Sequence, residues 1–144
     1  MEDIEFQEIN RKKRFLKRYK KNLACIARLE EKRITLDERI RKMKTSNLSG
    51  MPRGGVPITI DDLISDKMEL EKRIKRLQAK KAGLKSEILE EIDTLDDPRY
   101  CEILESFFID CISLEDIADN EGYTLRHVYR LYKEAVTLLA QEGQ

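Results

Sequence analysis

The stretch SLEDIADNEGYTLRHVYRLYKEAV, residues 113–136, carries the local signals of two helices joined by a tight turn. Ser113 and Asp116 have the spacing of a capping box, which starts a helix. Gly122 stands where the end of that helix needs left-handed backbone, and Thr124 can cap a second helix two residues later. The stretch therefore predicts a helix, a turn and a helix.

The second of these helices, from Thr124 to about Leu139, is amphipathic. At about 100° per residue its inner face consists of Val128, Leu131, Tyr132, Ala135, Leu138 and Leu139. Its outer face carries the cationic stripe, which we define as Arg126, Arg130 and Lys133. Because arginine can pair bidentately with guanine, this face suits the major groove of DNA, and an ordinary solvated face is the alternative. The predicted DNA contacts are Thr124, Arg126, His127, Tyr129, Arg130 and Lys133.

Charge is unevenly distributed along the 144 residues. The 28 basic and 28 acidic residues cancel overall, but 24 basic and 18 acidic residues precede Asp97, whereas 4 and 10 follow from there. The cationic stripe contains three of those four basic residues. Such asymmetry bears on binding partners rather than on fold.

Two further stretches place apolar residues at alternating steps of four and three, the spacing of a coiled-coil seam. The first, with Asn22 and Arg33 at its polar positions, comprises Phe15, Tyr19, Ile26, Leu29, Leu36, Ile40 and Met43. The second, with Lys67, Lys81 and Glu91 at its polar positions, comprises Leu63, Leu70, Ile74, Leu77, Leu84, Ile88 and Leu95. Two long amphipathic helices are predicted.

A segment rich in glycine and proline separates these helices. Residues 45–60 hold three of the six glycines and two of the three prolines, and such a segment interrupts a helix. We predict a basic first long helix over 1–44, a loop over 45–60, a second long helix over 61–95 and a C-terminal domain over 96–144. The similar helix lengths favour a long antiparallel hairpin, and the seams also allow a homodimer through the long helices.

Another helix is predicted to start at the boundary of the C-terminal domain. Asp97 can cap it, and Pro98 suits the first helical position. Its expected apolar face consists of Tyr100, Ile103, Leu104, Phe107, Phe108 and Cys111. The predicted fold is therefore all-α.

RKKRFLKRYKK, residues 11–21, is a second cationic feature, which we name the basic run. Eight of its eleven residues are Lys or Arg. Such a run is often a solvated helix face, but it can also contact phosphate or an acidic protein surface. The candidates for such contacts are Arg11, Lys12, Lys13, Arg14, Lys17 and Arg18.

Other classes of function find little support in the sequence. Cys25, Cys101 and Cys111 are far apart and His127 is the one histidine, so we expect core thiols in a reducing cytoplasm, no metal and no cofactor. No apolar run reaches the roughly 18 residues of a membrane span, so a cytoplasmic protein is expected. No nucleophile, acid and base share a pattern, and we do not expect an enzyme.

Residues 114–136 resemble the helix-turn-helix in region 4 of the primary bacterial sigma factors, through Ile117-Ala118, Gly122 and Val128 to Leu131. Nearly the whole chain resembles a family of phage and prophage proteins of Gram-positive bacteria related to the RinA and ArpU late transcriptional regulators. The residues that carry this second resemblance are the basic first helix, SGMPRGG at 49–55, LDDPRY at 95–100 and RHVYRL at 126–131.

These resemblances imply a small phage transcription regulator that binds double-stranded promoter DNA and contacts host RNA polymerase. Two alternatives remain. One is an interaction protein that binds RNA polymerase or a sigma factor without reading DNA. The other is a DNA-packaging adaptor of the small-terminase kind, which also joins a helix-turn-helix to long helices.

Overall fold

Six α-helices and no β-strand make up residues 2–46 and 58–142, the part of the chain that the computed structural model describes. The helices are α1 Glu2–Leu16, α2 Arg18–Ser46, α3 Ile60–Ile92, α4 Pro98–Phe108, α5 Leu114–Glu121 and α6 Leu125–Glu142. The all-α prediction is confirmed. Most of the predicted loop over 45–60 lies outside the described residues. Within the described part, no helix combines the length and apolar content that a bilayer crossing requires.

The predicted first long helix is occupied by α1 and α2, which meet at Lys17. Helical hydrogen bonds continue through this junction: Lys17 N–H donates to the carbonyl of Lys13, and Lys21 N–H donates to that of Lys17, both at 3.0 Å. The basic run therefore lies on α1 and α2, apart from Lys17 at the turn between them.

The chain divides into two compact units. Unit 1 contains residues up to Asn22 and from Lys81 onward, and unit 2 contains Leu23–Lys80. In unit 1, helices α1, α4 and α5 all pack against α6. Unit 1 thus brings the basic run and the cationic stripe into one folded body, although about a hundred residues separate them in the sequence.

The core of unit 1 includes a cluster between α4, α5 and α6. Its buried members are Ile103, Leu114, Ile117, Ala118, Val128 and Leu131. Leu16, Ile88, Ile92, Leu104, Phe108, Val136 and Leu139 are also fully buried. Burying each such large apolar side chain contributes about 1.5–3 kcal/mol, so this core holds α6 in place from one side.

The predicted helix ends of unit 1 are confirmed. The Asp97 carboxylate accepts a hydrogen bond from Arg99 N–H at 2.9 Å, with Pro98 at the first helical position of α4. Ser113 Oγ accepts from Asp116 N–H at 3.1 Å. Gly122 ends α5 with φ +70°. Local sequence predicts these caps because each depends on residues two or three positions away.

In unit 2, α2 and α3 contact each other through apolar side chains. Leu29, Leu70 and Ile74 form a buried cluster that Leu36 and Leu77 extend. Lys67 pairs with Asp37 at 2.6 Å beside it, and this hydrogen bond raises the pKa of Lys67. The contacting residues are ones that the heptad spacing assigned to the seams, apart from Asp37.

Two predictions about burial are wrong. Cys25 and Cys111 are exposed and Cys101 is only partly buried, so the cysteines are not core thiols. Cys111 falls outside α4 because that helix ends at Phe108, and its backbone has φ +58°. Leu138 was expected on the inner face of α6 but is 36% exposed.

The inner face of α6 is rotated relative to the prediction because of α1. Val136 and Ala140 are buried instead of Leu138. Together with Tyr132 they follow a spacing of four and share one face of the helix. Lys13 of α1 lies over the Tyr132 ring, 5.8 Å from its centre, so α1 packs along this face.

Candidate nucleic-acid interface

The turn between α5 and α6 fixes where α6 begins. Tyr123 N–H donates to the carbonyl of Ala118 at 2.9 Å, across the left-handed Gly122. Thr124 Oγ1 then accepts from His127 N–H at 3.2 Å, which confirms its predicted role as the cap of α6. The cap satisfies one of the backbone donors that a helix start leaves unpaired. The connecting turn is therefore anchored on α5 through Ala118, and the first turn of α6 is anchored on Thr124.

The cationic stripe faces solvent. Arg126, Arg130 and Lys133 are all exposed, and no ion pair among the described residues engages them. Tyr129 lies between them with 47% of its surface exposed. The opposite face of α6 is buried through Val128, Leu131, Ala135 and Leu139. The structure therefore leaves the stripe available for a ligand.

His127 is half-buried at the side of the stripe and contacts two neighbours. Its Nδ1 lies 2.8 Å from Nη2 of Arg130. Its ring meets the Tyr123 ring edge-on, with 5.0 Å between the ring centres and 88° between the planes. Sequence reasoning missed this arrangement, although a spacing of three residues along a helix brings side chains such as those of His127 and Arg130 together.

A second contact that the sequence did not reveal ties α6 to α4. The Tyr100 hydroxyl donates a hydrogen bond to Oε2 of Glu134 at 2.7 Å. This bond raises the pKa of Tyr100 because the neutral phenol is the donor. Glu134 follows Lys133 directly, so the tie holds the C-terminal part of the stripe against the core. Residues so distant in the chain give no local signal of such a contact.

Three candidates of the basic run are engaged inside unit 1. Lys12 pairs with Glu91 at 2.5 Å, where the two side chains are only 17% and 28% exposed. Arg18 lies 3.5 Å from Glu87 and stacks on the Phe15 ring. Lys13 covers the Tyr132 ring. These three side chains help to hold the helices together and are less available for phosphate.

The other three candidates, Arg11, Arg14 and Lys17, are exposed. They line a shallow groove along α1 that also includes Asn10. No ion pair among the described residues engages them. The structure therefore divides the six candidates equally into an engaged set and an exposed set.

Aromatic side chains connect the basic run to α6. The rings of Phe107 and Phe108 lie 5.3 and 6.0 Å from that of Tyr132. Lys20 sits 3.7 Å above the Phe107 ring, and burial lowers the pKa of Lys20. Cation–π contacts of this kind contribute about 0.5–1 kcal/mol at exposed sites.

The exposed surface of α5 is acidic, opposite in sign to the cationic stripe. Glu115, Asp116, Asp119 and Glu121 are all exposed. Among residues 2–46 and 58–142, no three His, Cys, Asp or Glu side chains come together as a possible metal site.

The chain was also compared with known proteins. No family model, curated protein or solved structure matches the chain.

Proposed function

We propose that this protein is a DNA-binding transcription regulator of phage origin whose helix α6 reads double-stranded DNA in the major groove. The observation that carries this proposal is the cationic stripe: its side chains are exposed, and none of the described residues forms an ion pair with them. A capped helix of 18 residues with one face fixed in a core is the form in which a recognition helix presents side chains to base edges.

The finer features of the fold belong to this proposal. In our interpretation α5, the Gly122 turn and α6 form a helix-turn-helix of the sigma region 4 type. The long helices form an antiparallel coiled-coil hairpin, which the pairing of Asp37 with Lys67 favours. This hairpin is the interface of a homodimer or the surface that contacts host RNA polymerase in the cytoplasm of the bacterial host.

Phosphate contacts from α1 complement the stripe. The stripe contributes only three positive charges, and non-specific DNA affinity depends on the number of phosphates neutralised. The face of α6 on which α1 packs borders the stripe, since Lys133 lies about 60° from Val136 around the helix. Among the six candidates of the basic run, Arg11, Arg14 and Lys17 are the ones that are exposed and take part in none of the ion pairs and ring contacts found among the described residues.

The test is in vitro selection of DNA with the full chain, followed by binding measurements on the selected duplex. The Arg126→Ala/Arg130→Ala variant should bind that duplex at least roughly thirtyfold more weakly, because each bidentate guanine contact provides about 1–3 kcal/mol. The control is Lys81→Ala/Lys85→Ala, which removes the same charge from exposed positions on α3. Equal losses in the two variants, or no selected sequence at all, would refute sequence-specific reading by α6.

A second candidate is binding to RNA polymerase or a sigma factor without DNA readout. The acidic surface of α5 favours it, because the first helix of a helix-turn-helix crosses the DNA backbone and like charges repel there. This function predicts that the protein retains a polymerase subunit after nuclease treatment and selects no DNA sequence.

A further inference from the structure

His127 and Arg130 form a pair whose hydrogen-bonding direction is fixed by chemistry. A guanidinium group has five N–H donors and no acceptor. The 2.8 Å contact between Arg130 Nη2 and His127 Nδ1 therefore requires Nδ1 to accept. A neutral imidazole that accepts at Nδ1 carries its proton on Nε2.

The imidazole ring is itself held in place by the turn. Tyr123 lies in the turn before α6 and packs on the core cluster of unit 1. Its ring meets that of His127 edge-on at 5.0 Å, and the backbone N–H of His127 is anchored on Thr124 Oγ1. A continuous set of contacts thus runs from the core through Tyr123 and His127 to Arg130.

We propose that His127 is a positioning residue that holds the guanidinium of Arg130 ready for bidentate pairing with guanine. The inference rests on the proposed function of α6 and assigns His127 a role through Arg130 rather than a DNA contact of its own. The bond to Nδ1 occupies one donor of Arg130 and leaves the others for the O6 and N7 atoms of a guanine. An arginine already held in one orientation loses less conformational freedom on binding.

The first experiment uses the free protein, so it is independent of DNA. Nitrogen-15 NMR of the imidazole at pH 8 should show a protonated Nε2 and an unprotonated Nδ1, the tautomer that the contact with Arg130 requires. In Arg130→Ala, where Nδ1 no longer has its donor, the tautomer preference should weaken. A wild-type protein with its proton on Nδ1 would overturn the proposal.

The second experiment is a double-mutant cycle on the selected duplex. Phenylalanine at position 127 retains a ring for Tyr123 but offers no acceptor, whereas asparagine retains an acceptor near the place of Nδ1. His127→Phe should weaken binding roughly three- to tenfold, the cost of ordering one long side chain, and His127→Asn should restore most of it. The slope of affinity against salt should not change, because no phosphate contact is lost.

The background of Arg130→Ala separates positioning from direct contact. In that background His127→Phe should have no further effect. A loss of the same factor in both backgrounds would show that His127 contacts DNA itself and would overturn the proposal. If the wild type binds no selected duplex, the proposed function fails, while the NMR experiment still reports whether the His127–Arg130 pair exists.

Discussion

The basic run and the cationic stripe contain the same residue types, but the structure uses them differently. In the basic run, Lys12 and Arg18 are paired with glutamates of α3 and Lys13 lies on an aromatic ring. In the stripe, Arg126 and Lys133 are exposed and outside every ion pair of the described residues. The density of charge along a sequence therefore does not show which cations are available to a ligand. Their availability depends on the neighbours of each side chain in the folded protein.

The charge asymmetry of the sequence does not correspond to two separate bodies in the structure. Divided at Asp97, the sequence has a basic part and an acidic part. In the structure, however, the basic run belongs to the same compact unit as the stripe. The acidic C-terminal helices are thus accompanied by a helix that supplies positive charge beside α6.

The largest expected effect concerns the aromatic cluster of Phe107, Phe108 and Tyr132, which Lys13 and Lys20 of the basic run contact. Phe108 is fully buried and its ring contacts Phe107 and Tyr132. Phe108→Ala should lower the free energy of unfolding by about 3–5 kcal/mol, the usual loss for a buried phenylalanine, as measured by urea denaturation. Phe6→Ala, at a position 66% exposed, is the control and should change it by less than about 0.5 kcal/mol. Similar losses of stability in both variants would show that Phe108 does not belong to a packed core.

The next effect contrasts the exposed set and the engaged set of the basic run. Replacing the exposed set, Arg11, Arg14 and Lys17, by glutamine should weaken DNA binding about hundredfold at 0.1 M salt and flatten the log–log salt dependence by about 0.9 per lost phosphate contact. The selected base sequence should not change. Binding is measured by titration across a series of salt concentrations.

The matched variant replaces the engaged set, Lys12, Lys13 and Arg18, by glutamine and removes the same charge. It should lower the free energy of unfolding, because Glu91 and Glu87 lose their partners, and should flatten the salt dependence less. If the two triple variants have the same salt dependence, the division into exposed and engaged cations is wrong.

Much of this architecture follows from local sequence rules. Asp97, Ser113, Gly122 and Thr124 perform at helix ends as predicted, because capping depends on residues two or three positions away. Burial along α2 and α3 also follows the heptad spacing, with Leu29, Leu70 and Ile74 in contact. Helical periodicity also predicted that the stripe is exposed, because the spacing of apolar residues within one helix defines its outer face.

What could not be predicted depends on which helix packs against which. The inner face of α6 includes Val136 and not Leu138, because α1 lies along one side of it. Glu134 is tied to Tyr100 across 34 residues, and Lys12 to Glu91 across 79. Periodicity indicates how wide an apolar face is, but it does not show which helix packs against that face. These contacts are therefore known only from the three-dimensional structure.

A smaller effect tests how firmly the start of α6 presents the stripe. Thr124→Ala removes the oxygen that accepts from His127 N–H and should lower the free energy of unfolding by about 1 kcal/mol. Thr124→Ser keeps the hydroxyl and should restore nearly all of it. Thermal denaturation of the three proteins measures the difference. A serine variant as unstable as the alanine variant would show that the hydroxyl does not cap the helix.

The smallest effect concerns Arg99, the one cation after Asp97 in the sequence that is not part of the stripe. Its guanidinium donates to the Asp97 carboxylate at 3.0 and 3.3 Å, and these bonds, with the backbone N–H of Arg99, lower the pKa of Asp97 below its ordinary 3.8. The native carboxylate therefore keeps its charge to lower pH than the unfolded one. This contribution to stability is present above the ordinary pKa and is lost as pH falls through the native pKa.

Asp97→Asn isolates this contribution because asparagine can still cap α4 but carries no charge. The wild type should be slightly more stable than the variant at pH 7, and the difference should shrink as pH falls from 5 to 3 and as salt rises, since the pair is exposed to solvent. Urea denaturation at each pH measures it. A difference that stays constant with pH would mean that Asp97 acts at the helix start through its hydrogen bonds alone, and that Arg99 is as free of electrostatic engagement as the cations of the stripe.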